Sequence, residues 1–138
     1  MMRMERNEAE VSAPALWAGR TFSAIVVLFL LFDAGIKLVP IAPVTETLVQ
    51  LGYSASPDLA RGLGILLLIC TALYVFPRTS TLGAVLLTAY LGGAVATHLR
   101  VGSPAFSHLL FGVYLGLLLW GGLYLRDLRV RSVMPWRT

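Results

Sequence analysis

The chain has 138 residues, of which 57% are hydrophobic and only 13% charged, against about 25% charged in a typical soluble domain. So few charges cannot cover so much apolar surface in water, which excludes an ordinary soluble domain; the length suits one domain. The net charge of +4 does not point to nucleic acid, because the basic residues form no stripe and stand at the ends of hydrophobic runs, where membrane topology needs them.

Residues 1–19 read as a polar N-terminal tail, with Glu5, Glu8 and Glu10 against Arg3 and Arg6. Ser12 and Pro14 suggest a loop or a short helix start, and Trp17 and Arg20 mark a membrane interface. The apolar run after Arg20 is long and no small-x-small cleavage site follows it, so it is expected to be kept as a first membrane helix rather than removed as a signal peptide. The transmembrane domain is expected over residues 20–126.

Helix one is expected over about 21–39, roughly 28 Å at the α-helical rise and close to the hydrocarbon thickness. Pro40 and Pro43 end it. Val44, Leu48 and Leu51 then recur at helical spacing before Gly52, which predicts a short amphipathic helix on the outer surface. Helix two is expected over about 57–76, helix three over about 80–99 and helix four over about 106–125. Pro77-Arg78-Thr79 and Gly102-Ser103-Pro104 form the turns between them. Residues 127–138 are a basic C-terminal tail. Short turns make consecutive helices antiparallel neighbours. No segment alternates at period two, so a β-barrel is excluded. The expected fold is therefore all-α: an integral membrane four-helix bundle, up-down-up-down, with a short amphipathic helix between helices one and two.

Eight of the eleven basic residues fall on the side holding both tails: Arg3, Arg6, Arg20, Arg78, Arg126, Arg129, Arg131 and Arg137. Lys37, Arg61 and Arg100 fall on the other. The positive-inside rule puts both termini in the cytoplasm. Gly92, Gly93, Gly112 and Gly116 are candidate packing positions, because small residues let helix backbones approach in lipid. They pack the bundle within one chain or join copies into a homo-oligomer; packing within the chain is the expectation.

The outer end carries the polar residues that do not belong in lipid. Asp33 lies about 20 Å along helix one from Arg20, deep enough that an unpaired carboxylate costs about 2.5–3.5 kcal/mol. Lys37 is four residues on and shares its face; Arg61 is a second candidate partner. His98 and His108 flank one short turn. With Arg100 these residues could line a polar pocket open to the outer side, with His98 able to relay a proton. The plainer reading is that the three bases snorkel to the interface and the histidines meet water. His98, His108 and Asp33 are metal-ligand types without a ligand spacing, so no metal site is expected. No phosphate-binding glycine loop and no serine nucleophile elbow is present. Tyr74 and Tyr124 read as interfacial aromatics; Tyr90 and Tyr114 sit nearer mid-helix and could line a cavity for an aromatic or quinone ring. Cys70 reads as a small packed residue.

Several stretches carry a resemblance: Gly35-Ile36-Lys37-Leu38, Leu51-Gly52-Tyr53, Pro77-Arg78-Thr79, Leu82-Gly83-Ala84, the run from Tyr90 to Arg100 that contains Gly92-Gly93-Ala94-Val95-Ala96-Thr97-His98, and the segment from Trp120 to Asp127. Over about residues 22–131 the chain resembles the DoxX-like family of small bacterial membrane proteins. The resemblance implies a four-helix bundle in the bacterial inner membrane. It also implies association with membrane redox complexes, with quinone as the compatible small molecule and a partner redox protein as the electron source. Membrane-protein assembly is the non-enzymatic alternative, and small-molecule transport a third. Some members carry an acid in the second helix; the stretch from Gly64 to Cys70 here has none.

Overall fold

A computed structural model describes residues 10–137. The tail charges Arg3, Glu5, Arg6 and Glu8 lie outside the described residues.

The first helix, α1 (Ala13–Leu38), is 26 residues long and starts earlier than the expected residue 21. Ser12 is the reason. It is extended, its hydroxyl accepts from the Ala15 amide at 3.4 Å, and Pro14 sits in the first turn, where a missing N–H costs nothing. Arg20 does not break the helix; its guanidinium lies over the Trp17 ring, 5.2 Å from the centroid. Pro40 follows the end of α1, and α2 (Ala42–Gln50) turns Val44 and Leu48 onto Ala60. Gly52 closes α2 at φ 86°, with its amide on the Val49 carbonyl and the Tyr53 amide on Leu48. This is a Schellman end, which requires the left-handed residue that only glycine adopts cheaply.

The helix α3 (Pro57–Val75) is capped by the Ser56 hydroxyl, which accepts from the Leu59 amide at 3.3 Å. In the turn after it, Thr79 and Ser80 donate their hydroxyls to the Leu73 and Tyr74 carbonyls, at 2.7 and 2.8 Å. These are carbonyls that a helix end leaves without a partner. The next helix, α4 (Ser80–Arg100), ends on Gly102 at φ 69°, with the same Schellman pattern. The last membrane span starts at Ala105, one residue before the expected 106, but its first turn is not α-helical. After Pro104 the chain makes a π-helical turn over Ala105–Leu109, and α5 runs from Phe111 to Arg126. A short α6 (Leu128–Arg131) follows, and Arg131 donates back to the Tyr124 and Leu125 carbonyls.

Four segments are apolar and long enough to cross a membrane: α1, α3, α4, and the π-helical turn together with α5, over Ala105–Arg126. They form a bundle in which α1 and α4 each pack on both α3 and α5. Val26, Leu30, Leu67, Leu87, Leu119 and Leu123 fill its centre. The outer surface is equally apolar: Leu28, Phe32 and Leu117 are all more than 60% exposed. A soluble protein does not leave such residues in water over its whole girth. The protein is a multi-pass membrane protein.

Glycine sets the close approaches, though mostly at positions other than those expected. A Cβ on Gly83 would sit 2.2 Å from the Tyr74 nitrogen, and one on Gly19 2.7 Å from the Gly122 oxygen. One on Gly64 would meet the Ala34 oxygen at 3.0 Å, and one on Gly112 the Leu91 oxygen at 3.2 Å. Of the four expected packing glycines only Gly112 is in such contact. At Gly92, Gly93 and Gly116 nothing lies within 4 Å of where a Cβ would stand.

Candidate functional site

The helices and α2 enclose a chamber of about 580 Å³ at the end of the bundle where α1 finishes. Most of its wall is apolar, supplied by residues such as Leu30, Val44, Leu63 and Leu115. Asp33, Lys37, Tyr90, His98 and His108 also line it.

Asp33 and Lys37 form the i, i+4 ion pair that their spacing allows, both half-buried. On its other side the Lys37 ammonium donates to the Tyr90 hydroxyl at 3.1 Å. Gly64 explains the placement of the lysine: a Cβ there would come within 2.9 Å of Lys37 Cβ, so α3 presses against the base of the side chain. An ammonium has three donors and two are used, leaving one N–H. Tyr90 accepts from Lys37 and keeps its own O–H to donate. The chamber thus offers two adjacent donors against an apolar wall.

The histidines stand together, ring centroids 6.0 Å apart. The Schellman end of α4 brings Ser103 back over His98, and its hydroxyl is 2.9 Å from His98 Nδ1. Ser107 holds His108 Nδ1 at 2.7 Å. In each ring Nδ1 is engaged, which leaves Nε2 for other partners. Among the described residues no cluster of three metal-ligating side chains is present.

Two expected members stand apart. Arg61 is exposed and pairs with Asp58 at 3.4 Å, one turn away at the start of α3. Arg100 donates to the Leu51 carbonyl at 2.9 Å and so ties the end of α2 to the end of α4. Tyr114 faces outward, 43% exposed. Gly93 lines the chamber instead of a helix contact.

A second polar centre, at the opposite end of the bundle, was not anticipated. Tyr74, expected at the interface, is completely buried and donates its hydroxyl to the Leu119 carbonyl at 2.8 Å. Its proton is therefore spent, so the Ser23 hydroxyl, 2.8 Å away, must donate to Tyr74 Oη. Ser23 in turn accepts from Arg126 Nε at 3.2 Å, and the guanidinium lies over the Tyr74 ring, 5.4 Å from the centroid. The sequence signal was a serine one turn past Arg20 inside an apolar run, where a hydroxyl needs a partner.

A sequence profile described as the DoxX-like family matches residues 21–122. The chain belongs to the DoxX-like family. The match takes in every polar residue of the chamber and stops before Arg126. The resemblance read from the run Tyr90 to Arg100, and from its companion segments as far as Gly122, thus holds for this DoxX-like chain. No curated protein and no solved structure matches it.

Proposed function

We propose that this DoxX-like protein is a redox-associated subunit of the bacterial inner membrane, both termini cytoplasmic, that holds a quinone in the chamber. The reading rests on one observation: the spare N–H of Lys37 and the O–H of Tyr90 stand side by side in a space whose wall is mostly apolar. Two such donors suit a carbonyl oxygen on an apolar ring. The volume lies within the range of about 300–1,000 Å³ common to small-molecule sites, which are apolar with a few placed polar groups.

A bound quinone would supply two-electron redox chemistry, with electrons from a partner redox protein. The residues of this chain bind and orient. Asp33 keeps Lys37 in place, Lys37 and Tyr90 fix one ligand oxygen, and His98 relays a proton within the same chamber. Mass spectrometry of the lipid extract from purified protein tests this. Quinone is expected to co-purify. Tyr90→Phe should lower the retained amount about fivefold, the worth of one hydrogen bond near 1 kcal/mol, and Lys37→Met about tenfold or more. Quinone no more abundant than in an unrelated membrane protein purified in parallel would overturn the reading.

A further inference from the structure

A cleft of about 480 Å³ opens on the flank of the bundle at the end opposite the chamber, between the first half of α1, the end of α3 and the end of α5. Two arginines line it, Arg126 and Arg20, the latter with its guanidinium over the Trp17 ring. Among the described residues no carboxylate does. Asp127, the nearest acid in sequence, is turned to the start of α6, where it accepts from the Arg129 amide at 2.9 Å.

Arg126 is held before anything binds. Its Nε is committed to Ser23, and that hydroxyl sits on the Tyr74–Leu119 chain. Both terminal amino groups of the guanidinium remain, and planar paired N–H donors match phosphate oxygens. Arg20 faces the same cleft. Ala24 and Val27 follow Arg20 at four and seven residues, so they continue the same face of α1 toward the membrane centre. Val75 lines the cleft from α3. The cleft is thus cationic where the apolar span begins and apolar below that level.

We infer that this cleft binds one anionic phospholipid, with its phosphate between Arg20 and Arg126 and the first carbons of an acyl chain along Ala24, Val27 and Val75. Basic pockets between membrane helices at this depth suit such headgroups. A zwitterionic headgroup is disfavoured, since its own cation meets two guanidinium groups. The site is independent of the chamber and of any quinone.

Native mass spectrometry of the full chain, with phosphatidylglycerol and phosphatidylcholine supplied together, is the test. Phosphatidylglycerol should be retained in preference, by about fivefold per guanidinium. Arg20→Gln should lose about that factor while the thermal midpoint in detergent stays unchanged, because Arg20 takes no part in the buried hydroxyl chain. Arg126→Gln should lose at least as much. Excess inorganic phosphate should leave the lipid in place, since it cannot fill the apolar wall. Equal retention of the two lipids, undiminished phosphatidylglycerol in Arg20→Gln, or displacement by inorganic phosphate would each overturn the inference; the last would make the cleft a site for free anions.

Discussion

Asp33 and Lys37 are each costly in a membrane and tolerable together. Removing one partner of such a pair leaves a charge with nothing to balance it, whereas removing both does not. Asp33→Asn and Lys37→Met alone should each lower stability by about 2–3 kcal/mol, and the double variant should lie closer to the parent than either single. Unfolding in a denaturing detergent titration measures this, and additive losses would count against the pair. The pair could be read from the spacing of two residues on one helix. Tyr90 as its third member could not, because that contact joins residues 53 apart in the chain. Arg61 misled for a related reason. Its depth was right, but depth along an axis says nothing of the face, and Asp58 one turn away was the nearer partner.

Among the helices, the apolar runs and their proline and glycine ends placed α2, α3 and α4 to within one or two residues. The two larger differences, the start of α1 and the π-helical first turn of the last span, have local causes. The start of α1 was set by charge at Arg20 instead of by the Ser12–Pro14 cap, and the π-helical turn before α5 has no periodic signature in five residues. Glycine composition could not reveal which faces meet, since that depends on how each helix is rotated. The contrast is measurable. In Gly83→Ala the new methyl has backbone where it must go, 2.2 Å away, and a loss of about 1–3 kcal/mol is expected. Gly92→Ala meets nothing and removes a flexible residue from a helix, so it should be neutral or stabilising by up to about 1 kcal/mol. Equal effects of the two substitutions on the thermal midpoint would refute this assignment of contacts.

For the whole molecule, most of the described basic residues crowd one end while the chamber occupies the other. The proposed orientation makes a simple expectation with Cys70, which is buried, replaced by alanine. A membrane-impermeant maleimide should label Ser54→Cys on intact cells and Ser132→Cys only after permeabilisation; the reverse pattern would invert the protein. The glycine contacts carry a different consequence. Along the α1–α5 and α3–α4 seams backbone meets backbone at the Arg126 end, at Gly19 with Gly122 and at Gly83 with Tyr74. Along α1–α3 and α4–α5 it does so at the chamber end, at Gly64 and Gly112. Beside the chamber, then, the α1–α5 seam is closed by rings, Phe29 edge-on to Phe111 with centroids 5.0 Å apart, each lining the chamber and each partly exposed on the outer surface. Exposed rings change rotamer in pico- to nanoseconds, whereas two touching backbones cannot part without moving a helix. A solute passing between these rings would arrive sideways from the hydrocarbon, so occupancy of the chamber would follow its partitioning into the bilayer and not its concentration in water.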